Sequence, residues 1–277
     1  MKSELRRASC AIYFKYHRRY AMEPIVSRTL SVHNEHEFLL KLEAAGLNQA
    51  LSQRVVDSKE NDLGKKIVRL IENGGFEPTT SQKRAREIMG RNMFGVEEAI
   101  RHFGVNPTRQ QAAALSEIPF SEATLEQCKN THVLVAVFPL SILEIRGKVP
   151  SDQHLFYVQD WYNKESFAKD KGELEWQLIC KTPVDNSTSR TWDEQQALLS
   201  DKDQTPKARV MVYAIICHFL STGERLFEKI YVRCSDVDSD GHRVLVGRFA
   251  SDGLLVNDLW DGHRYDNIGL ASARKSE

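Results

Sequence analysis

The run Asp236-Val237-Asp238-Ser239-Asp240-Gly241 has the residue types and spacing of a cation site. Alternate carboxylates at Asp236, Asp238 and Asp240 would converge on one ion, and the glycine permits the sharp turn that opens an EF-hand calcium loop. Such a loop needs a bidentate carboxylate at its twelfth position, and Gly247 stands there. The flanks read as strands, not helices. A solvated Asp/Gly hairpin turn is the plainer reading. The three carboxylates are therefore a weak calcium candidate, and no cofactor is expected.

Other chemistry finds less support. The chain has no G-x-S-x-G elbow, no H-E-x-x-H helix and no P-loop. His218 lies beside Cys217 on an apolar stretch, where a satisfied core histidine is expected. Cys217 and Cys234 read as small buried hydrophobes. Asp193 and Glu194 are adjacent carboxylates, but sequence spacing alone does not bring them onto a substrate. No catalytic residue is assigned, and the chain reads as a non-enzyme.

Two segments suit binding instead. Residues 96–103, a turn at Gly104 and a new helix at Thr108 have the outline of a DNA-binding helix-turn-helix, with Arg109, Gln110 and Gln111 placed to face a groove. Glu97, Glu98 and Glu117 crowd it. In the tail, period-two alternation puts Leu254, Val256 and Asp258 on one strand face and Leu255, Asn257 and Leu259 on the other. If Leu254 and Val256 point inward, then Leu255, Asn257, Leu259, His263 and Tyr265 form an apolar, amide and aromatic contact surface.

The elements that would carry these residues change in texture along the chain. The first half reads as short helices: one opened by Asn34 and Glu37 at capping-box spacing and stopped at Gly46, then 47–58, and 62–72 ending at Asn73-Gly74-Gly75. Next come 81–89 capped by Thr80, 96–103 stopped by Gly104, 108–117, and one opened by Ser121. From residue 131 strands dominate: 133–138, 156–158 and 175–180, then an apolar helix over 207–220, then 229–233, 243–249, 254–259 and 268–273 as an antiparallel meander. The expected fold class is α+β. Residues 1–22 are a basic tail, of which translation from Met22 would omit 1–21, 23–130 a helical region, and 131–277 an α+β domain with an antiparallel sheet. The strand 133–138 is expected to pair with 268–273.

Composition narrows the classes further. Lys+Arg and Asp+Glu are 38 each among 277 residues, so the chain lacks the basic excess of most phosphate-contacting proteins. Its apolar runs fall short of the ~18–20 residues that span a bilayer. Cys10, Cys128, Cys180, Cys217 and Cys234 are odd in number and form no C-x-x-C pair, which favours a reducing cytoplasm over a disulfide framework.

The tail also carries a resemblance. Tyr265-Asp266-Asn267-Ile268-Gly269-Leu270-Ala271-Ser272-Ala273-Arg274 resembles the closing segment of formylglycine-generating-enzyme-like domains, where an Asn-rich stretch leads into an Ile-Gly-Phe-Arg type strand. The segments 243–249 and 253–260 look like the strand pair before it. The same C-type-lectin-like fold displays the variable region of ligand-binding proteins of diversity-generating retroelements. Residues 131–277 are similar to uncharacterised bacterial proteins that share the frame Cys234 to Gly241, Arg243-Val244, Val246-Gly247, Phe249, Gly253-Leu254, Val256, Trp260-Asp261, Arg264 and Gly269. In those tails Asn often stands where this chain has Leu245, Arg248, Leu255, Asp258, His263 and Tyr265. Adenine-directed mutagenesis acts most strongly on Asn codons, so such positions are the expected variable sites.

Leu270 replaces the enzyme family's aromatic and Ala271 its Arg, and no matching thiol pair is present, so the enzyme activity is not implied. The resemblance implies a cytoplasmic bacterial binding protein. Its surface would comprise Leu245, Arg248, Leu255, Asn257, Asp258, His263 and Tyr265, with Trp260 and Phe249 as frame residues or anchors. The expected partner is a protein or other macromolecule, not nucleic acid or membrane. The alternative expectation is a helix-turn-helix regulator whose C-terminal domain senses a ligand.

Overall fold

The computed structural model describes residues 30–72, 79–150 and 153–276. The basic segment 1–22 and the expected stop at Asn73-Gly74-Gly75 lie outside the described residues. The chain divides into two compact units, Met1–Glu72 and Asn73–Glu277.

Among the described residues the first unit carries three α-helices, α1 (Val32–Ala44), α2 (Gln49–Val56) and α3 (Asp62–Glu72). Ser31 caps α1 by accepting from the Asn34 amide at 3.1 Å, so the helix starts before the expected Asn34–Glu37 box. Asn48 does the same for α2. Neither α1 nor α2 buries a residue, and Phe38, Leu39, Leu40 and Val56 are exposed.

The second unit opens with β1 (Thr80–Ser81), α4 (Gln82–Met89), β2 (Met93–Phe94), α5 (Val96–Phe103), α6 (Arg109–Ala114), β3 (Glu117–Ile118) and α7 (Glu122–Cys128). It continues with β4 (His132–Val137), α8 (Ile142–Lys148), α9 (Ser166–Lys169), β5 (Glu175–Cys180), α10 (Trp192–Gln196), β6 (Asp203–Gln204) and α11 (Ala208–Thr222). The last strands are β7 (Tyr231–Val237), β8 (Arg243–Ala250), β9 (Gly253–Leu259), β10 (Ile268–Leu270) and β11 (Ala273–Arg274). Hydroxyls of Ser81, Thr108, Ser121, Ser141 and Thr191 cap α4, α6, α7, α8 and α10, each accepting an amide that the first turn leaves unpaired. The α4 cap is thus Ser81 and not Thr80, whose hydroxyl instead donates to the Phe120 carbonyl at 2.7 Å.

The boundary expected near residue 130 is corrected. Ala85, Met89, Phe103, Leu115, Ile118, Phe120 and Leu125 belong to the same buried core as β4 and α11. Met93 and Phe94 add a parallel strand beside Leu134 and Val135. Helices of eight residues or fewer cannot enclose a core among themselves, so they bury their apolar sides against the sheet.

Two larger sheets share the helix α11. One runs β2-β4-β5-β11-β6 and the other β10-β7-β8-β9. Every residue from Ala208 to His218 is buried. The helix packs on β4 and β5 of one sheet and on β7 and β8 of the other, which is why its sequence is apolar all round. Gly223, at φ 76°, ends it.

The expected strand over 268–273 is two strands. β10 lies parallel to β7, and after Ala271 and Ser272 β11 inserts antiparallel between β5 and β6. β4 therefore never meets this tail, because β5 lies between them. The crossing is held by Ala271 N–H to Arg233 O at 3.1 Å and Cys180 N–H to Ser272 O at 3.0 Å. Of the expected strand at 156–158, only one bridge forms, Phe156 beside Leu254.

His218 is fully buried, and its Nε2 stands 3.6 Å from Glu224 Oε2, just beyond hydrogen-bond distance. Burial pushes it down to about 4. His132 is likewise pushed to about 4 by burial. The unfolded chain takes protons on both near 6.5, whereas the folded chain resists until about 4. Stability present at neutral pH is therefore lost as pH falls through this window. A His218→Leu variant is expected to lose less of its urea midpoint than the wild type between about pH 7 and about pH 5. An unchanged pH slope would show that His218 does not contribute.

Candidate binding surface

The sheet β10-β7-β8-β9 positions most of the candidate residues, and both of its faces are covered. Val232, Val244, Val246 and Val256 share the face that joins the core around α11. Arg233, Leu245 and Asn257 are register partners and share the opposite face. Residues 183–196 reach that face. Arg233 donates from Nη1 to Arg190 O and to Gln195 Oε1, both at 2.9 Å. The Ser187 hydroxyl accepts from the Leu270 amide.

This cover corrects two expectations. Leu245 and Leu255 are 2% and 8% exposed, so they are packing residues and present nothing to a partner. Phe249 is fully buried and its ring meets Phe219 edge-on. Arg248 is exposed, with φ 45° and Nη2 3.4 Å from Asp252 Oδ2, but it sits at the β8–β9 hairpin. Asp258 pairs with Val244 towards the far end of the same strands, about 13 Å away at ~3.4 Å per residue. Arg248 is thus separated from the rest. Gly247 is required where it stands, because at φ 146° an added Cβ would collide with the Ile230 carbonyl.

Asn257 and Asp258 lie on opposite faces at that far end of β9, and His263 and Tyr265 follow in an irregular stretch, residues 260–267. Trp260 is 57% and Tyr265 49% exposed. The His263 and Tyr265 rings stand perpendicular with centroids 6.1 Å apart. Gly262, His263, Arg264, Asp266 and Asn267 are also exposed.

The backbone of this stretch is fixed at successive points. Arg233 Nη2 donates to His263 O at 2.7 Å. Amides of Trp192, Ser189 and Tyr231 donate to Asp261 O, Tyr265 O and Asn267 O at 2.8, 2.8 and 2.9 Å. Arg243 grips the Asp261 carboxylate with two bonds, 3.1 and 2.9 Å, while its guanidinium lies 3.8 Å from the Trp192 ring centroid. Arg264 pairs with Glu194 at 2.8 Å. Burial pushes the Arg233 guanidinium below its ordinary value. It stays charged, because arginine's ordinary value is so high.

The expected calcium trio is taken apart. Asp236 turns away to cap α11, its Oδ2 accepting from the Ala208 amide at 2.6 Å, and burial pushes its carboxyl upward. Asp240 is exposed. Asp238 instead faces His242, which the sequence reading passed over. His242 Nδ1 lies 2.8 Å from Asp258 Oδ2 and 3.6 Å from Asp238 Oδ2. The Asp258 hydrogen bond, with Asp238 and Asp240 nearby, raises the imidazole's affinity for its proton. The Trp260 ring lies 4.4 Å from the His242 ring, centroid to centroid. The signal for His242 was its place one residue before Arg243, whose partner is Leu259 beside Asp258.

The helix-turn-helix outline also changes. α6 has only six residues, about 9 Å of helix at ~1.5 Å per residue. Gln111 is spent in a capping box with Thr108, which leaves Arg109 and Gln110 exposed. Among the described residues no helix is long and apolar enough to cross a membrane.

Comparison with known proteins adds no identity: no family model, curated protein or solved structure matches the chain.

Proposed function

We propose that this chain is a non-enzymatic binding protein whose contact surface is the 260–267 stretch with Asn257 and Asp258 beside it. The observation that carries the reading is an exposed, irregular segment whose backbone is anchored from within by the buried Arg233. Loops that are fixed before a partner arrives lose little entropy on binding. Trp and Tyr supply large contact area for two rotatable bonds each. Trp260, His263 and Tyr265 are the anchors in this reading. Arg264 and Asp266 lie on the same stretch and supply charge.

The partner is a protein, since an open aromatic surface suits a macromolecule better than a small ligand, which is held in a concave pocket. The C-type-lectin-like resemblance of residues 131–277 and the retroelement-type diversification remain part of the proposal. So does a cytoplasmic location, which suits the free thiols Cys128, Cys180, Cys217 and Cys234.

A Trp260→Ala, His263→Ala, Tyr265→Ala variant is expected to keep its melting temperature within about 2 °C, as surface changes do. Side-by-side affinity capture should show a protein retained by the wild type and absent from the variant. If both retain the same proteins, this surface is not the contact site. Sequencing the flanking DNA tests the diversification. A near-copy of the codons for residues 243–275, differing at adenines and beside a reverse-transcriptase gene, is the expected result. A flank with no such copy removes that part of the reading.

A further inference from the structure

The turn that ends β7 and the strand β9 bring three ligand atoms together. One ligand atom each from Asp238, His242 and Asp258 lies within 4.8 Å of the other two. Ligands bound at ~2.0–2.1 Å to a tetrahedral ion stand about 3.4 Å apart. The two distances from Nδ1, 2.8 and 3.6 Å, bracket that spacing.

One feature of the cluster is not explained by the ion pair. Asp238 Oδ1 is satisfied by two amides, Asp240 N–H at 2.9 Å and His242 N–H at 2.8 Å. Those bonds fix the carboxylate and aim Oδ2 at His242. Oδ2 receives no hydrogen bond from the described residues, although the side chain is only 7% exposed. Its charge partner is the His242 imidazole at 3.6 Å, and a cation at closer range would complete it. His242 answers Asp258 at close range and leaves Asp238 short.

We propose that Asp238, His242 and Asp258 form a divalent zinc site. An imidazole nitrogen in the set favours a transition ion over calcium, which takes six to eight oxygens. Two carboxylates and a neutral imidazole balance the ion's charge. The fourth position opens to solvent, because the His242 and Asp258 side chains keep 20% and 30% of their exposure. The bound ion displaces the proton that otherwise sits between the imidazole and Asp258. It ties the β7–β8 turn to the end of β9, next to Trp260. The proposal shares Asp258 and Trp260 with the contact surface above, but zinc titration and affinity capture read the two separately, so either can fail alone.

The test is calorimetric titration of the chelator-treated full chain with zinc chloride. One equivalent is expected to bind. His242→Gln and Asp258→Asn should each weaken binding by more than the roughly 10–100-fold that loss of an outer-shell partner costs. Asp240→Asn, altering an exposed carboxylate beside the site, should leave the zinc stoichiometry unchanged. Circular dichroism melts check that each variant is folded. Cobalt chloride gives a second readout on the wild type alone: the visible band of a low-coordinate site together with quenching of the Trp260 emission, the latter lost in Trp260→Phe. Absence of saturable binding overturns the proposal, and so does affinity that survives both ligand variants, since it would place the zinc on other histidines.

Discussion

Arg233→Ala is expected to lower the melting temperature by roughly 6–20 °C. The side chain is fully buried and donates to three acceptors, Arg190 O, Gln195 Oε1 and His263 O. Alanine leaves all three without their donor in a space water enters poorly. A buried acceptor left unpaired costs about 1–3 kcal/mol, and partial rehydration brings the total to about 3–5 kcal/mol. At roughly 2–4 °C per kcal/mol for a unit of this size, the shift follows. Hydrogen exchange should quicken within residues 260–267 before it quickens in β8. Arg233→Lys should recover only part of the loss, because an ammonium cannot span acceptors on both sides as the planar fork does. A melting temperature within about 1 °C of the wild type would mean that the stretch is held by its other contacts.

The second large effect separates packing from contact. Leu245→Ala is expected to cost about 2–5 kcal/mol in urea unfolding, the range for deleting a buried leucine side chain. Leu245 is 2% exposed and shares its sheet face with its register partner Arg233. Asn257→Ala, at the register partner of Leu245 on β9 and exposed, should stay within about 0.5 kcal/mol. Equal small effects would restore Leu245 to the surface where the resemblance had placed it.

The sequence made the local elements plain and left their surroundings hidden. The limits of α5 and β5 could be read directly, and α11 to within two residues. Gly104 and Gly223 stop the two helices with positive φ, and α11 is apolar from Val210 to Cys217. The partners of the strands were not legible. Period-two alternation in β9 says which residues share a face, but not that a polar segment with Pro183, Ser187 and Gln195 folds over the second face. Three hydrophilic side chains carry that cover by pointing their polar atoms at backbone groups: Ser187 to the Leu270 amide, Gln195 to Ser187 O and Ile268 O, and Arg233 to His263 O.

The cation cluster was half visible for the same reason. Asp238 and Asp258 stood among the candidates as members of separate patterns. Only the register of β8 against β9 shows that they meet at His242. The misplaced boundary near residue 130 has a different cause. A change from helical to strand texture marks a change in local propensity, and a compact unit ends where burial ends.

The passage of the tail from one sheet to the other has a consequence for how the unit is made. β6 is attached to its sheet only through β11, and β10 forms one edge of the other sheet. Both sheets therefore await the same few residues. During synthesis β5 and β6 emerge long before the strand that fits between them. The nascent chain must carry an unfilled slot, with the edge of β5 open, until residues 268–274 are free to enter it. Assembly therefore waits on β10 and β11, and their loss or delay would leave both sheets open at once.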